Sequence, residues 1–239
     1  MYKKFGKRIF DLLFCLLFFI FFGWVLVVIA AVVKVNIGSP IVFRQPRPGK
    51  IDPKTGKERI FILYKFRTMT NATDQRGRLL PDEQRLGKFG KALRATSLDE
   101  LPEIVNIVHG DMSLVGPRPQ LVRDMVFMTR EQRFRHSVRP GLTGLAQVKG
   151  RNALSWDEKI SCDIKYVENI NFCSDMVILF KTFSQVFIRK DITKSSTEID
   201  IADDFGDYLL KKNRITREQY NKKQEEAREL LKAYSRVDK

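Results

Sequence analysis

A run of uncharged, mostly apolar residues near the amino terminus constrains this chain more than any other feature. It extends from Leu12 to Val33 and is rich in Phe, Leu, Val and Ile. A helix that crosses a bilayer needs about 20 apolar residues, so this run is long enough to enter a membrane. The alternative is a signal peptide, whose apolar core is shorter, about 7–15 residues, and precedes a small-residue cleavage site. No such site follows the run, so the sequence predicts a membrane anchor over residues 1–37.

Basic residues flank the apolar run on both sides. They are Lys3, Lys4, Lys7 and Arg8 before it and Lys34, Arg44, Arg47 and Lys50 after it. Because basic flanks favour the cytoplasmic side, both ends of the anchor are expected in the cytoplasm. A re-entrant helix satisfies this expectation, and Gly23-Trp24 is the one weak helix breaker near the middle of the run. An ordinary spanning helix that tolerates Gly23 stays the alternative.

A second apolar stretch lies farther along the chain. It starts at Met176, continues to Ile188, and is interrupted by Lys181 and Gln185. The stretch is too short to span a bilayer, and Arg189-Lys190 closes it with positive charge. It is interpreted either as an interfacial helix at the membrane surface or as a core helix of the domain.

The rest of the chain predicts a mainly α fold with a small β-hairpin. Gly38-Ser39-Pro40 is expected to end the anchor helix. Short strands are expected at Ile41–Arg44 and Arg59–Phe66, joined by a turn-rich loop, and helices alternate with loops from Lys88 onward. We therefore predict a cytosolic domain over residues 38–190.

Residues 191–239 predict a C-terminal helical extension. Two short amphipathic helices are expected around a turn from Asn213 to Thr216, with Thr216 as a helix N-cap and Glu218 in the first turn. The extension is interpreted as an element for docking or homo-oligomerisation, with a solvated tail as the alternative.

Composition narrows the possible partners. The chain has 43 Lys and Arg residues against 28 Asp and Glu, a net charge of +15, which favours nucleic acid, anionic lipid or phosphorylated substrates. Cys15, Cys162 and Cys173 lack metal-ligand spacing, which is typical of a reduced domain. His109 and His136 are too isolated to suggest a metal site, and no Walker A or dinucleotide-binding motif is present.

The segment Ser97-Leu98-Asp99-Glu100 is the first candidate for chemistry. Its plain interpretation is a capping box, with Ser97 as N-cap and Glu100 at the third helical position. Pro102 fits that helix poorly, so either the box is imperfect or the helix begins later. An aspartate at the start of a helix also lies where backbone N–H groups favour a phosphate, so the two interpretations are compatible.

Arginines next to prolines are the second candidate feature. Arg118 lies between Pro117 and Pro119, and the same pairing occurs at Arg139-Pro140 and Arg47-Pro48. Proline restricts the backbone of the residue before it, and a guanidinium held in this way suits phosphoryl oxygens. Further basic candidates are Lys65, Arg67, Arg94 and the segment Lys149-Gly150-Arg151-Asn152, which follows Gln147.

Together these segments resemble the monotopic phosphoglycosyl transferases, a family of bacterial sugar transferases, over Tyr2 to Ile188, and the chain is similar to the small, minimal members. The resemblance is carried by Lys7-Arg8-Ile9-Phe10-Asp11, Gly38-Ser39-Pro40, Gln45-Pro46-Arg47-Pro48-Gly49, Tyr64-Lys65-Phe66-Arg67-Thr68-Met69, Ser97-Leu98-Asp99-Glu100-Leu101-Pro102, Gly110-Asp111-Met112-Ser113-Leu114-Val115-Gly116-Pro117-Arg118-Pro119, Arg139-Pro140-Gly141-Leu142-Thr143-Gly144 and Gln147-Val148-Lys149-Gly150-Arg151. Members of the family usually break the membrane helix at a Ser-Pro pair, where this chain has Gly23-Trp24.

The resemblance implies a re-entrant membrane helix, a catalytic pair at Asp99 and Glu100, and a location in the bacterial inner membrane with the catalytic domain facing the cytoplasm. It implies transfer of a sugar-1-phosphate from a UDP-sugar, of the N-acetylated hexosamine type, to polyprenyl phosphate. UMP is released and Asp99 forms a covalent intermediate. This would be the first membrane step of a bacterial glycan pathway, such as exopolysaccharide or glycoconjugate biosynthesis.

The expected site residues follow from the same hypothesis. Mg²⁺ is expected at Asp99 and Glu100, because it prefers hard oxygen ligands. Substrate phosphates are expected at Arg118 and Arg139, with Arg94, Lys65 and Arg67 in support, and the nucleotide or sugar at Gln147 and Arg151.

A membrane-tethered scaffold or a nucleic-acid-binding protein would also use the positive charge. Neither needs an Asp-Glu pair beside rigid Arg-Pro loops, and anionic lipid accounts for the basic residues as well. We therefore expect membrane lipids, and no nucleic acid, among the partners.

Overall fold

A computed structural model describes residues 2–150, 153–188 and 204–237 of the chain. Their helices are α1 (Lys7–Asn36), α2 (Asp82–Arg85), α3 (Lys88–Ala95), α4 (Glu103–His109), α5 (Val122–Met125), α6 (Leu145–Lys149), α7 (Trp156–Glu168), α8 (Phe172–Ile188), α9 (Phe205–Lys211) and α10 (Arg217–Val237). Their strands are β1 (Val42–Ile51), β2 (Glu58–Phe66), β3 (Ser113–Val115) and β4 (Gly141–Thr143). The prediction of a mainly helical fold with a small antiparallel sheet and an apolar N-terminal helix is confirmed.

The predicted anchor forms the long helix α1, preceded by a π-helical turn at Tyr2–Gly6. The expected break at Gly23-Trp24 is wrong, because helical structure continues through both residues. One glycine inside a helix costs only about 1 kcal/mol relative to alanine, so a long run of apolar helix formers can absorb it. Gly38, with a φ of 91°, and Pro40 follow the end of the helix, as predicted.

Helix α1 buries one narrow stripe of side chains and exposes the rest. The buried residues Asp11, Cys15, Ile29 and Val33 recur at helical spacing. Within the described ranges, Tyr2–Asn36 is the one helical stretch long and apolar enough to cross a membrane. Large exposed apolar side chains on it include Leu13, Leu16, Ile20, Phe21, Trp24, Val27 and Val35.

Both ends of α1 pack against the same domain. Near its start, Asp11 accepts a hydrogen bond from the backbone N–H of Leu114 on β3, at 3.1 Å. Near its end, Ile29 and Val33 pack against Phe66 of β2 and against α3. No residue from 19 to 24 is buried, so the middle of the helix is exposed while its two ends are held.

The predicted hairpin is confirmed. Strands β1 and β2 pair antiparallel from Val42↔Phe66 to Ile51↔Glu58, with an irregularity after Pro48. Strand β1 is longer than predicted and includes Pro46 and Pro48. Proline is tolerated there because β1 has a single partner strand in its sheet, and its other edge needs no N–H donors.

A second sheet, which is parallel, was not predicted. Strands β3 and β4 pair over Ser113↔Gly141 and Val115↔Thr143. The chains approach so closely that a Cβ atom on Gly141 would lie 2.0 Å from the backbone nitrogen of Gly116. Glycine is therefore required at position 141 for this contact.

The second apolar stretch forms helix α8, which has one buried face, and its location at a membrane surface stays a prediction. Ile178 is buried in the core, and the fully buried Asp175 accepts hydrogen bonds from Tyr2 at 2.6 Å and Lys7 at 2.6 Å. Val177, Phe180 and Phe183 are exposed on the other side. One face of α8 thus belongs to the core and the other presents aromatic and aliphatic side chains outward.

The C-terminal extension forms α9 and α10, as the two predicted helices. Thr216 caps α10 as expected, since its hydroxyl accepts a hydrogen bond from the N–H of Gln219 at 3.2 Å. The mostly polar stretch before these helices, residues 190–204, lies outside the described residues except for Asp204. Phe205 and Ala227 are buried, so the extension packs on the domain rather than forming a solvated tail.

Candidate active site

Asp99 and Glu100 lie on a short 3₁₀ turn, Leu98–Glu100, just before α4. The expected capping box is wrong: Ser97 has a left-handed backbone with a φ of 55° and its side chain caps no helix. Helix α4 begins only at Glu103, and Pro102 is its N-cap, where a missing N–H does no harm. The alternative that the helix begins later is therefore confirmed.

Two basic side chains converge on Glu100. Its Oε1 atom accepts hydrogen bonds from Lys65 Nζ at 2.7 Å and from Arg118 Nη2 at 2.6 Å. Lys65 also pairs with Glu103, at 3.2 Å between Nζ and Oε1. The end of β2, the turn, the start of α4 and the Arg118 loop thus meet at one place.

The neighbouring carboxyl groups have different protonation properties. Burial opposes ionisation of Glu100, but Arg118 and Lys65 outweigh it and hold its pKa well below the ordinary value. Burial raises the pKa of Asp99, while Lys65 and Arg94 oppose the rise. Burial also raises the pKa of Glu103. The site therefore holds one firmly ionised carboxylate beside two that gain protons more easily.

Asp99 and Glu100 also differ in their bonding. Asp99 is only 9% exposed. No side chain in the described part of the chain donates a hydrogen bond to its carboxylate, whereas Glu100 is bound by two. A carboxylate without a fixed partner is the one that can attack an electrophile, and a paired one is suited to positioning its neighbours.

The backbone of Arg118 is held from two sides. Its carbonyl oxygen accepts a hydrogen bond from Arg135 Nη2 at 2.7 Å, and the next carbonyl, of Pro119, accepts one from Arg47 at 3.1 Å. Arg135 is 1% exposed and is paired with the buried Asp163 at 2.6 Å. The Arg118 side chain is itself 41% exposed, so a fixed guanidinium is available to an anion from solution.

The structure brings only some of the predicted basic residues to this place. Arg94 lies beside it and donates to Thr68 Oγ1 at 2.9 Å. Arg67 is buried and donates to the carbonyls of Pro40 at 3.0 Å and Met69 at 3.3 Å and to Asn71 Oδ1 at 3.1 Å. These contacts hold the chain after β2, and a substrate contact by Arg67 stays a prediction.

Arg139 and Gln147 are not brought to Asp99 and Glu100 by any described contact. Arg139 donates to the carbonyl of Gly110 at 2.7 Å, at the far end of α4 from Glu100. Gln147 donates to the carbonyl of Leu142 at 3.1 Å. Arg151 lies outside the described residues.

Three groups at or near this site were not predicted from the sequence. Glu103 was overlooked, although Pro102 before it marks a helix start where an acidic residue is favourable. Arg135 and Asp163 carry no local signal, because 28 positions separate them. In a third network, Glu58 accepts a hydrogen bond from Arg133, and its Oε1 atom lies 2.9 Å from His136 Nδ1. His136 is thus a buried structural residue.

Asp99 and Glu100 were predicted as ligands of Mg²⁺. No group of three or more His, Cys, Asp or Glu side chains suited to a metal occurs in the described ranges. Mg²⁺ is commonly held by one or two carboxylates and completed by water and substrate phosphates. Within the described residues no side chain donates to Asp99, so its carboxylate fits such an ion, and Glu100 fits through its second oxygen.

Comparison with known proteins identifies the family. The sequence model described as "Bacterial sugar transferase" matches residues 2–189 of this chain. The chain belongs to the bacterial sugar transferase family. The "Uncharacterized sugar transferase EpsL" of Bacillus subtilis (strain 168) is 45% identical to it over 190 residues, which cover 80% of this chain and 91% of that protein.

Two further relatives extend the comparison. The "Exopolysaccharide production protein ExoY" of Sinorhizobium fredii is 33% identical over 77% of this sugar transferase and 87% of its own length. A "UDP-glucose:undecaprenyl-phosphate glucose-1-phosphate transferase" of Klebsiella pneumoniae is 36% identical over 77% of this chain but only 40% of its own length. The chain is accordingly an enzyme, a transferase of substituted phosphate groups. Helices α9 and α10 lie beyond the region that the family model matches.

Proposed function

We propose that this sugar transferase moves a sugar-1-phosphate from a UDP-sugar to polyprenyl phosphate and releases UMP. The observation that carries the proposal is the buried Asp99, to which no side chain of the described ranges donates, beside a Glu100 that is paired with Lys65 and the half-exposed Arg118. Such a site offers a nucleophile next to cations that can bind a diphosphate. The Klebsiella relative's name describes the same type of transfer.

The proposed reaction has two steps. The Asp99 carboxylate attacks the β-phosphorus of the UDP-sugar, the bond from that phosphorus to the bridging oxygen breaks, and UMP leaves. The resulting aspartyl phosphosugar is then attacked by a phosphate oxygen of polyprenyl phosphate, which restores the carboxylate and forms the polyprenyl diphosphosugar. Covalent catalysis of this kind divides one difficult transfer into two easier ones.

The surrounding cations have distinct proposed roles. Lys65 and Arg94 favour the ionised form of Asp99, which is the nucleophilic form. Arg118 binds the phosphate oxygens as charge develops on them, and Glu100 fixes the orientation of Arg118 and Lys65. Gln147 and Arg151 stay predicted contacts for the nucleotide or sugar.

We propose Mg²⁺ as the metal of the reaction, at Asp99 and Glu100. When bound, it would neutralise charge on the diphosphate. Treatment with a chelator should abolish turnover, and added Mg²⁺ should restore it. Full turnover in the chelator would remove the metal from the proposal.

The donor sugar is proposed to be an N-acetylated hexosamine. The relatives' names support a range of sugars, because one names glucose and another, from Aeromonas hydrophila, names N-acetylgalactosamine. UMP release should be measured with a panel of UDP-sugars in the presence of undecaprenyl phosphate. Faster turnover of UDP-glucose or UDP-galactose than of the N-acetylated donors would overturn this choice.

The test of the nucleophile uses a trapped intermediate. With radiolabelled UDP-sugar and no acceptor, an acid quench should retain labelled sugar phosphate on the wild-type protein and none on Asp99→Asn. Glu100→Gln should still form the adduct, but slowly. Asp82→Asn, at an exposed position in α2, is the matched control and should behave as wild type. Full turnover by Asp99→Asn would remove Asp99 as the nucleophile.

We further propose that both ends of α1 lie on the cytoplasmic side of the bacterial inner membrane, together with the catalytic domain, so that the unbroken helix is inserted into one leaflet and does not span the bilayer. A helix of this length extends about 45 Å, and a straight span would separate its ends by the roughly 30 Å hydrocarbon layer. Both ends instead contact one domain, and the exposed middle is apolar. The outward face of α8 would meet the same membrane surface.

Cysteine labelling in membrane vesicles tests this topology. Lys4→Cys and Lys50→Cys, both exposed positions, are placed in a Cys173→Ser background, because Cys173 is an exposed native thiol. An impermeant reagent should label both cysteines from the same side. Labelling from opposite sides would establish a spanning helix.

A further inference from the structure

Helices α9 and α10 are packed against the domain through buried apolar side chains. Phe205, at the start of α9, is 0% exposed, and its ring lies 5.0 Å from that of Trp156 at the start of α7. It shares a cluster with Ile160 of α7 and with Met128. Helix α9 is thereby fixed to the first turns of α7.

Helix α10 covers a different element, α5. Ala227 is 2% exposed and packs against Val122 and Met125. Farther along the same face, the Tyr220 ring lies 5.6 Å from that of Phe127. The two C-terminal helices together therefore bridge α5 and α7.

Polar contacts reinforce this bridge at its centre. The buried Asp124 carboxylate on α5 accepts hydrogen bonds from the backbone N–H of Phe205 at 3.0 Å and from that of Leu121 at 3.1 Å. Beside it, Arg123 pairs with Asp204 at 2.9 Å. One carboxylate thus joins the C-terminal extension to the end of the Arg118 loop.

Both bridged helices hold the backbone of Arg118. From α5, the chain leads back from Leu121 to Arg118 in three residues. From α7, Asp163 binds Arg135, which also donates to the Arg118 carbonyl oxygen at 2.7 Å. A shift of α5 relative to α7 would therefore move the guanidinium away from Glu100.

We propose that α9 and α10 position Arg118. They do so by holding α5 and α7 in a fixed relative arrangement. This inference rests on the proposed role of Arg118 in binding phosphate. It assigns a function to the segment outside the family match, and it predicts that contacts at Ala227 act on turnover through Arg118.

The test is a double-mutant cycle on the full chain. Ala227→Gln inserts a longer side chain between α10 and α5, and Ala233→Gln makes the same change at an exposed position of the same helix. Turnover is divided by the amount of trapped adduct per protein, so that unfolded molecules do not count. We expect Ala227→Gln to lower turnover about tenfold and Ala233→Gln to leave it unchanged.

The second half of the cycle repeats Ala227→Gln in an Arg118→Lys background. If α10 acts through Arg118, the loss there should shrink to about twofold or less, because the interaction is already impaired. An equal loss in both backgrounds would overturn the inference and leave the proposed function intact. If Arg118→Lys alone turns over as wild type, the role of Arg118 fails, and the inference fails with it.

A second variant guards against misfolding. Phe205→Leu shortens the buried side chain at the α7 contact and runs through the same cycle. The same non-additive loss is expected. Wild-type turnover by both Phe205→Leu and Ala227→Gln would overturn the inference.

Discussion

The loops at Arg118-Pro119 and Arg139-Pro140 share a local sequence pattern and lie side by side. Their arginine side chains nevertheless make contacts at opposite ends of α4. The backbone N–H of Gly141 donates to the carbonyl of Pro117 at 3.0 Å, which joins the two loops. The Arg118 side chain reaches Glu100 before α4, and Arg139 reaches the carbonyl of Gly110 after α4. Seven helical residues separate these ends, a distance of about 10 Å.

The difference shows what an Arg-Pro pair can and cannot specify. Proline restricts the backbone of both arginines in the same way. What differs is the group each side chain meets: a carboxylate in one loop, and in the other a carbonyl at the end of a helix, where a cation is favourable. Arg118 therefore belongs to the carboxylate site, and Arg139 closes the end of α4.

The largest expected difference between the two loops is the effect on turnover of removing each guanidinium. Arg118→Ala should lower turnover about 10²–10³-fold, the range seen when one donor to a developing oxyanion is removed. Arg139→Ala, at an exposed position, should change it by about twofold or less. Steady-state UMP release measures both. Comparable losses from the two variants would break the distinction between the loops.

The next largest effect concerns the pH dependence of turnover, which should change with Lys65 at the carboxylate site but not with Arg139. Burial raises the pKa of Asp99 and Lys65 opposes that rise, so Lys65→Gln should raise it further. Because only the ionised carboxylate attacks, activity is lost as pH falls through this pKa. The acidic limb of the rate profile should therefore move to higher pH, so that turnover on that limb is lower than in the wild type. The matched Arg139→Gln should leave the limb in place. A limb that stays put or moves to lower pH in Lys65→Gln would contradict this electrostatic account.

The smallest effect concerns the prolines. Pro119→Ala and Pro140→Ala should each lower the free energy of unfolding by about 0.4–1 kcal/mol, because alanine increases the freedom of the unfolded chain. Denaturant unfolding measures this change. Only Pro119→Ala should also lower turnover, by about twofold, since it loosens the backbone that carries Arg118. An equal loss of turnover in Pro119→Ala and Pro140→Ala would mean that the two prolines contribute equally to activity, which contradicts the distinction between the loops.

Much of the fold was predictable because its signals are local. The apolar run gave α1, the β-propensity at Arg59–Phe66 gave β2, and Thr216 gave the start of α10. The break at Gly23-Trp24 was wrong because a single glycine is a weak breaker. The capping box at Ser97 was wrong because the chain turns left-handed there and the helix starts after Pro102.

The candidate site also has features that were predictable from local sequence and features that were not. Asp99, Glu100 and Arg118 could be proposed from residue type and neighbouring prolines. The destination of Arg67 could not, because three acceptors from Pro40 to Asn71 surround it only after the chain folds. The support of Arg118 by Arg135 and Asp163 was equally hidden, since the residues are far apart in sequence.

The sequence by itself determined that this chain carries a long apolar helix, a small hairpin and an Asp-Glu pair among rigidly mounted arginines. Those features depend on hydrophobic periodicity and on backbone restrictions that act within a few residues. Only the tertiary structure decided which arginine meets Glu100, that both ends of α1 rest on one domain, and that the last two helices bridge α5 and α7. Each of these depends on contacts between distant segments, whose geometry is set by packing of the whole core.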